Sequence, residues 1–409
     1  MTKKVYFDHH FGMHTAYWEF VRYPPEGYEY ILPNATWDRV FNRLVVHNEL
    51  LFANPALAKF LGKFMAPRLF KAHLDNVLKK PPPGMNLVFS IDHPVLWTKP
   101  WVIHVTWPQA FSGFNVENLE KHRSSIEKQL ASPYCKRVIT WSELAKKALL
   151  LNFDCSSFKD KIEVLPLAIH PQHFTKVNNQ NKVRLLFVGT INNLKGAISK
   201  KLGTERFFEF DGKGGTEVLE AFLLLREKYP NLELVFRATV PPEIKIRFQG
   251  YPEIRFVEEA LPREVLDKEF QSADIFLYPT KQLTPWTVFL EAMSFELPIV
   301  TTDVYANGEI IQDGVTGLLI KGSSNVPYHY GEKLLIPFGS SMHNQYVESI
   351  KLVDPLVVKE LAEKTAVLIE NQELRQRMGK AARWEAEKGR HSLESRNRQL
   401  KKIFDEATA

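Results

Sequence analysis

The segment ADIFLYPTKQLTPWTVFLEAMSFELPIVTTD, residues 273–303, decides the fold class. Two short apolar runs, Asp274–Tyr278 and Ile299–Thr302, flank the helical pattern Val288–Glu296. Apolar runs that are brief and rich in β-branched and aromatic residues are typical of strands. A strand, a helix and a second strand in this order form the repeating unit of a parallel sheet. The segment therefore predicts an α/β protein.

The same alternation runs through the chain in two series, and the second series starts near Val183. Two series predict two parallel sheets, each covered by helices on both faces. The length of 409 residues agrees, because a chain of this size usually divides into two domains. The other predicted strands are Lys4–Phe7, Tyr28–Leu32, Leu87–Ile91, Trp101–Thr106, Arg137–Thr140, Ile162–Ile169, Arg184–Gly189, Leu232–Arg237, Ile254–Val257 and Gly317–Ile320. The other predicted helices include Val116–Leu130, Glu143–Leu151, Gly215–Tyr229 and Arg263–Ala273.

A polar stretch, His173–Asn181, is the predicted linker between the two series because it contains the run VNNQN. It divides the chain into an N-terminal domain, 1–178, and a C-terminal domain that begins at residue 179. The last part of the chain, Pro355–Ala409, has a charged helical pattern too long for one helix. We expect Gly379 or Gly389 to break it.

The composition is that of an ordinary soluble globular protein, with 44% hydrophobic and 24% charged residues, and it excludes wholesale disorder. Two cysteines, Cys135 and Cys155, are too few for a disulfide framework or a Cys-rich zinc site and fit a reducing compartment. The N-terminus, MTKKVYFDHHFGMH, lacks the apolar core of a secretory signal, and no apolar run is long enough to span a bilayer. We therefore expect a cytoplasmic protein, soluble or peripheral.

The excess positive charge lies in the first domain, where residues 1–178 hold 22 Lys and Arg against 15 Asp and Glu. This asymmetry favours either an anionic partner, such as a membrane surface or a phosphorylated acceptor, or only a solvated Lys-rich face. The segment Asn54–Phe70 leaves a similar choice between a basic amphipathic helix at a membrane interface and the core-facing side of a domain helix, which is the commoner case. Nucleic acid is not an expected partner, because the basic residues are scattered and accompany no nucleic-acid motif.

The expected ligand site lies in the cleft between the two domains, beyond the carboxyl ends of the strands. Strand Arg184–Gly189 ends in FVGT, and the next helix opens with Lys-Gly-Gly at Lys213–Gly215. Glycines let a backbone approach a phosphate closely, a helix start favours an anion, and the lysine adds positive charge. The same tripeptide is also common in surface turns, so the motif alone leaves both interpretations open.

A second candidate is Glu291, one turn into the helix Val288–Glu296. A carboxylate at this place can accept two hydrogen bonds from neighbouring hydroxyls, as a ribose presents them, while the helix start faces a diphosphate. The alternative is that Glu291 only complements the helix dipole.

Taken together, the motifs resemble those of retaining, nucleotide-sugar-dependent glycosyltransferases of family 4. The similarity extends from about Arg184 to Ala409, with weaker similarity in KRVITWSELAKK and KIEVLPLAIHPQHF of the first half. The resemblance implies a GT-B fold, in which two Rossmann-like domains face each other across a cleft. It implies acceptor binding by 1–178, donor binding by 179–390, and a C-terminal helix, 391–409, that packs back on the N-terminal domain. The pieces that carry it are FVG, KGGTEVLEAF, ADIFLYPT, FLEAMSFELPIVTTD, NGEIIQDGVTGLLI and LIENQELRQRMGKAARWEAEKG.

The implied activity is transfer of a hexose from a UDP- or GDP-sugar to a glycan or lipid-linked acceptor with retention of configuration, as in polysaccharide biosynthesis. No cofactor or metal is implied, and the absence of an Asp-x-Asp motif suits a metal-independent GT-B enzyme. Peripheral contact with an anionic membrane, on its cytoplasmic face, is a further expectation. The alternative is a catalytically silent GT-B protein that serves as a nucleotide-binding or scaffolding subunit.

The resemblance also implies residue roles in the donor domain. Lys213 is expected to bind the donor diphosphate and Glu291 the ribose. The other expected donor contacts are Gly189 and Thr190 beside Lys213, Arg206 in the insertion before it, and Thr287, Val288 and Leu290 at the helix start.

In the N-terminal domain, His104 of PWVIHVTWPQ is the candidate catalytic residue, beside Lys213 and Glu291. A hydrogen-bonded core histidine is the alternative. The turn DHHFGMH offers Gly12 for the donor, with His10 as an alternative. 

Three positions depart from the family pattern. Leu283 stands where the family usually has a first glutamate, Glu296 where it has a glycine, and Gly212 where it commonly has a basic residue. Leu283 and Glu296 are the observations that favour the silent alternative.

Overall fold

The computed structural model describes residues 2–8, 15–32, 81–176, 182–191 and 210–409. The segment Asn54–Phe70 and the candidates His10, Gly12 and Arg206 lie outside the described residues. The chain forms two compact units. Unit 1 consists of Met1–Ala168, His329–His343 and Leu393–Ala409, and unit 2 of Ile169–Tyr328 and Asn344–Ser392. The sequence prediction divides the chain at 178/179 and 390/391, and it does not include the return of His329–His343 to unit 1.

Unit 1 is built on a six-stranded sheet in the order β2-β1-β3-β4-β5-β6, and every pair of neighbours is parallel. Its two central strands, β3 and β4, are buried at every position, which is typical of a parallel sheet covered on both faces. The strands are β1 Lys3–Asp8, β2 Tyr28–Ile31, β3 Leu87–Ile91, β4 Trp101–His104, β5 Cys135–Thr140 and β6 Ile162–Val164.

In the described residues of 1–168, three helices follow strands of unit 1: α1 Thr15–Arg22, α2 Val116–Leu130 and α3 Glu143–Asn152. Side-chain caps set the start of two of them, since Asn115 accepts a hydrogen bond from the Asn118 amide and Ser142 accepts one from the Ala145 amide.

Unit 2 contains a second six-stranded parallel sheet, in the order β12-β11-β10-β7-β8-β9. The predicted strand–helix–strand segment is confirmed, because β10 and β11 pair in parallel on either side of α7. The strands are β7 Val183–Val188, β8 Leu232–Arg237, β9 Ile254–Val257, β10 Ile275–Tyr278, β11 Ile299–Thr302 and β12 Gly317–Ile320. The helices are α4 Gly215–Arg226, α5 Pro242–Phe248, α6 Arg263–Ser272, α7 Trp286–Ser294, α8 Asn307–Ile310, α9 His343–Lys351, which begins at the last residue of unit 1, α10 Pro355–Glu370 and α11 Gln372–Glu387.

The C-terminal helical pattern divides after α10 and again after α11, and the last helix is α12, Leu393–Thr408. The first break is at Asn371, whose side chain caps α11 by accepting from the Leu374 amide, and Gly389 lies in the second. Of the two glycines expected to break the pattern, Gly389 lies in a break and Gly379 does not. Gly379 is buried inside α11, where an added Cβ would stand 2.2 Å from the carbonyl oxygen of Glu296. This glycine therefore serves close packing and does not end a helix.

Helix α12 belongs to unit 1 and is fastened to it by a buried guanidinium. Arg396 donates to the carbonyl oxygens of Glu19 at 3.2 Å and Tyr23 at 2.8 Å, which satisfies the carboxyl end of α1. The same guanidinium lies over the ring of Phe20, 4.5 Å from its centroid, and burial lowers its pKa to about 10. Farther along the helix, Phe404 packs edge-on against Phe89 of β3, with the ring centroids 5.7 Å apart.

Replacement of Gly379 by alanine tests the packing at α11. Alanine is the better helix former by about 1 kcal/mol, but the Glu296 carbonyl blocks the added methyl group. We expect Gly379→Ala to lower the free energy of unfolding of unit 2 by about 1–3 kcal/mol in urea titrations. Gly250→Ala is the control, because nothing lies within 4 Å of a Cβ there. Equal or greater stability of Gly379→Ala would contradict this account.

Candidate functional site

The ammonium group of Lys213 lies at the carboxyl end of β7. A single 3-10 turn, Asp211–Lys213, leads into α4, and Lys213 Nζ donates a hydrogen bond to Thr190 Oγ1, two residues beyond the strand. Lys213 and Thr190 are both partly exposed. The structure thus brings together Lys213, Gly189 and Thr190, as the sequence predicts, although their role in binding stays a prediction.

The glycines of the Lys-Gly-Gly turn are required by the packing of unit 2 itself. Gly214 has φ +76°, and an added Cβ would stand 2.3 Å from the carbonyl oxygen of Pro279. At Gly215 a Cβ would meet the ring of Phe210 at 2.9 Å. Close approach of a phosphate is therefore not needed to explain either glycine, and the evidence for an anion site rests on Lys213 and the helix start.

The loop that joins β10 to α7 packs directly against this turn. The carbonyl oxygen of Gly212 accepts hydrogen bonds from the Lys281 amide at 2.8 Å and from Thr280 Oγ1 at 3.1 Å. The side chain of Gln282 lies over Gly212, where it would be only 1.8 Å from an added Cβ. These contacts hold the Lys213 turn against the start of α7.

A buried ion pair lies beneath these contacts. The Lys281 and Glu217 side chains are 2% and 0% exposed and form a salt bridge, and Lys281 Nζ also donates to the carbonyl oxygens of Ile350 at 3.0 Å and Leu352 at 2.8 Å. Burial raises the pKa of Glu217, and the Lys281 ammonium opposes that rise. Sequence reasoning missed this pair, since a lysine in a polar loop gives no sign that it turns inward.

Glu291 lies on α7 with its carboxylate held by a neighbouring arginine. Arg263 Nη1 donates to Glu291 Oε1 at 2.6 Å, while Arg263 Nε faces Asp267 Oδ1 at 2.7 Å. The Glu291 side chain is 16% exposed, and burial raises its pKa, whereas the Arg263 guanidinium lowers it. Arg263 was not predicted; its position at the first residue of α6 is that of an ordinary surface residue.

Arg237 is the last residue of β8, and its Nη1 donates to the carbonyl oxygen of Gly189 at 2.7 Å. Burial lowers the pKa of Arg237, and the charge of the nearby Glu291 carboxylate opposes that shift. Glu291, Arg237, Gly189 and the Thr190–Lys213 pair therefore lie together at the carboxyl ends of β7 and β8. The sequence signal that could have found Arg237 is a charge that directly follows the apolar run Leu234–Phe236 at the end of a predicted strand.

The three candidates at the start of α7 differ in exposure. Leu290 is fully buried, so its side chain belongs to the core, and Thr287 is 9% exposed. Val288 and the neighbouring Leu283 are partly exposed. Contacts of these residues with phosphates remain a prediction. Glu296, which follows the helix, has φ +58°, so the position has the backbone conformation that favours the glycine of the family pattern.

In unit 1, His104 is a core residue. Its ring stacks on Trp141 with the centroids 4.5 Å apart and contacts the edge of Tyr17 at 5.8 Å. Neither ring nitrogen has a hydrogen-bond partner among the described residues, and burial lowers the pKa of the imidazole well below its usual range. His104 is therefore neutral and enclosed. The structure therefore agrees with the alternative of a core histidine, except that the expected hydrogen bond is not present among the described residues.

The polar groups at the carboxyl ends of β1 and β3 are joined by a buried histidine. His93 Nε2 lies 2.8 Å from Asp8 Oδ2, and His93 Nδ1 lies 2.6 Å from the carbonyl oxygen of Ile91. Because both ring nitrogens face oxygen acceptors, the geometry suits an imidazolium that donates at both positions.

The same edge of the unit 1 sheet carries a second set of hydrogen bonds. The Asp92 carboxylate accepts from the Thr106 amide at 2.7 Å and from Thr106 Oγ1 at 2.8 Å. Since the threonine hydroxyl donates to Asp92, Tyr17 Oη, 3.1 Å away, donates to it in turn. Sequence reasoning missed Asp8, Asp92 and His93, although each lies at or just after the end of a predicted strand.

Known proteins match this chain by fold. HepE of Anabaena, solved with UDP and glucose, has a TM-score of 0.57 at 13% identity and covers 99% of this chain and 100% of its own. A glycosyltransferase from Rickettsia africae has a TM-score of 0.57 at 12% identity and covers 100% and 99%. WaaG, a glycosyltransferase involved in lipopolysaccharide biosynthesis, has a TM-score of 0.56 at 15% identity and covers 98% and 99%. This chain has the GT-B fold.

Within this GT-B protein, residues 205–327 match the family model of glycosyl transferases group 1. The comparison with curated proteins finds no match. The family match covers the Lys213 turn, Arg237, Arg263 and Glu291, all of which belong to unit 2. The predicted resemblance to glycosyltransferases is thereby confirmed at the level of fold and group, while assignment to family 4 in particular remains a prediction.

The buried pair in unit 2 allows a test of what holds the Lys213 turn. Lys281→Met leaves Glu217 buried without a cation, and we expect it to lower the free energy of unfolding by about 3–5 kcal/mol. The double variant Lys281→Met/Glu217→Leu should recover most of that loss, because no unpaired charge remains. Urea titrations measure both, with Lys228→Met in the exposed Lys228–Glu370 pair as the control. A double variant no more stable than the single one would contradict the role given to the pair.

The enclosed position of His104 predicts a pH dependence of stability. In the unfolded chain this histidine takes up a proton near pH 6.5, whereas burial prevents it in the folded chain. The unfolded state therefore binds more protons, and the free energy of unfolding should fall by up to about 1.4 kcal/mol per pH unit below pH 6.5.

His104→Phe should remove this contribution and flatten the profile relative to the wild type. Urea unfolding at pH 7.5, 6.5 and 5.5 measures the difference, with the exposed His173→Phe as the control. Parallel profiles for the wild type and His104→Phe would contradict the neutral, enclosed imidazole.

Proposed function

We propose that this protein is a glycosyltransferase that moves a hexose from a UDP- or GDP-sugar to a glycan or lipid-linked acceptor. The observation that carries the proposal is the juxtaposition of Lys213, Thr190 and Glu291 at one end of the unit 2 sheet, inside the segment that matches glycosyl transferases group 1. The solved structure of HepE contains UDP and glucose, which favours UDP as the first nucleotide to test.

In this proposal the donor diphosphate lies between Lys213 and the first turn of α4. The departing nucleoside diphosphate gains negative charge as the glycosidic bond breaks, so an ammonium group and helix-start amides fixed there stabilise the transition state. Lys213 is already held in place by Thr190, and little reorganisation is then needed when the donor arrives.

Glu291 is proposed to accept hydrogen bonds from the ribose hydroxyls, which requires its carboxylate form. Burial alone disfavours that form, and the Arg263 and Arg237 guanidinium groups favour it. Arg263 is thus a positioning residue for Glu291: it holds Oε1 at 2.6 Å and orients the carboxylate.

We further propose retention of configuration and no metal, both on the basis of the resemblance to family 4. Attack from the same face, assisted by the leaving phosphate, suits a site in which cations surround the leaving group. Among the described residues, no group of three or more His, Cys, Asp or Glu is arranged to hold a metal ion.

Peripheral contact with an anionic membrane from the cytoplasmic side is proposed for the N-terminal domain, because its charge excess lies there. No helix in the described part of the chain is long and apolar enough to cross a membrane. Co-sedimentation with anionic liposomes at low salt tests the contact, and absence of binding would remove it.

The proposal predicts donor binding that depends on Lys213 and Glu291. Thermal shifts with UDP, GDP and ADP should rank the nucleotides, because a bound ligand stabilises the folded state by mass action. Lys213→Ala and Glu291→Gln should each weaken the preferred nucleotide about 10- to 150-fold, the loss expected for a hydrogen bond that involves a charged group. Lys228→Ala and Glu370→Gln, in an exposed ion pair of unit 2, are the matched controls.

Radiolabelled nucleotide sugars, incubated with EDTA, distinguish the enzyme from the silent alternative. Transfer or donor hydrolysis that disappears in both site variants supports the glycosyltransferase. Tight nucleotide binding without turnover of any donor favours the silent subunit, which Leu283 and Glu296 support in the sequence. Absence of nucleotide binding by the wild type would overturn both.

A further inference from the structure

Arg237 is a partly buried cation whose hydrogen bonds are incomplete. Among the described residues, its guanidinium makes one hydrogen bond, from Nη1 to the carbonyl oxygen of Gly189 at 2.7 Å. Its Nε is buried and has no acceptor there. The residue as a whole is partly exposed, so the remaining donors are accessible from one side. A buried donor without an acceptor is costly, and such costs are usually met by a partner.

Glu291, the carboxylate whose charge acts on Arg237, is already engaged elsewhere. Glu291 is hydrogen-bonded to Arg263, which also pairs with Asp267 at 2.7 Å. Arg184, at the opposite end of the same strand pair, shows the contrast. Its guanidinium forms an ion pair with Glu233 of β8 at 3.2 Å, to which both Nε and Nη2 donate. Arg237 has no such carboxylate of its own within the described residues.

Arg237 and Lys213 are held by consecutive residues of one loop. Arg237 is bonded to the Gly189 carbonyl, and Lys213 to the Thr190 hydroxyl. Two cations fixed to adjacent residues suit an anion with two adjacent charged groups. The Nη2 donors of Arg237, which are neither hydrogen-bonded to a described residue nor fully buried, suit the oxygens of one such group, and the Lys213 ammonium suits the other.

We propose that Arg237 binds the diphosphate of the donor nucleotide, as a second cation beside Lys213. The inference rests on the proposed function. It extends that function, because neither the sequence analysis nor the family match gives Arg237 a role in binding. Arg237 then recognises the charge of the phosphates and not the base or the ribose.

Binding of uridine, UDP and inorganic pyrophosphate by calorimetry tests this assignment. The variants are Arg237→Gln, which removes the charge, and Arg237→Lys, which keeps it, with Arg184→Gln as the matched control on the same strands. We expect Arg237→Gln to weaken UDP and pyrophosphate at least 10-fold and uridine less than 2-fold. Arg237→Lys should lie between, and Arg184→Gln should bind as the wild type does. The loss in Arg237→Gln should shrink at high salt, since it is electrostatic.

Three results would overturn the assignment. They are wild-type UDP affinity in Arg237→Gln, equal weakening of uridine and UDP by that variant, and equal weakening of UDP by Arg184→Gln. Equal weakening of uridine and UDP would make Arg237 a structural brace of the Gly189 loop. If the wild type binds pyrophosphate through Arg237 but no nucleoside diphosphate, the anion site stands and the proposed function fails. Should Arg237→Gln not fold, Arg237→Lys carries the same comparison.

Discussion

The ammonium group of Lys281 is almost fully buried in unit 2, where it forms a salt bridge with Glu217 and donates to two backbone carbonyls. This arrangement joins the first turn of α4, the loop before α7 and the end of α9. The same loop is bonded through its backbone to Gly212, so the Lys213 turn and the start of α7 keep a fixed separation. The relative position of Lys213 and Glu291 thus depends on an interaction that includes neither residue.

Much of the fold follows from the sequence because apolar runs report burial directly. Strands such as Leu87–Ile91 and Leu232–Arg237 have the predicted ends, and Val116–Leu130 has them because Asn115 caps it. The errors in the predicted strand ends arise where residues stay buried after the strand has ended, because an apolar run predicts burial and not strand pairing. The predicted strand Ile162–Ile169 ends at Val164, although Leu165 and Leu167 remain buried. Gly379 was misread for a related reason, since a glycine inside a helix can mark close packing as well as an end.

The candidate site likewise contains some residues that were predicted from the sequence and some that were not. Lys213 and Glu291 could be predicted because each belongs to a motif at a strand end or helix start. Arg237, Arg263 and Lys281 were not predicted, since their importance comes from partners that are 28 to 71 residues away in the chain, and only Arg237 has a local signal, at the end of its strand. In unit 1, the sequence drew attention to His104, whereas the structure concentrates the polar contacts on His93 and Asp92. A single histidine letter does not say whether the ring meets an acceptor or, as at His104, two aromatic rings.

Unit 1 is assembled from three separate stretches of chain, the last of which is Leu393–Ala409. The carbonyls at the end of α1 receive their hydrogen bonds from Arg396 of this stretch, and the Phe89 side chain of β3 packs against its Phe404. During synthesis these residues follow all of unit 2, so unit 1 cannot complete its core until the chain of unit 2 has been made. Proteolysis between α11 and α12 would therefore remove a part of unit 1, even though the cut follows the last helix of unit 2.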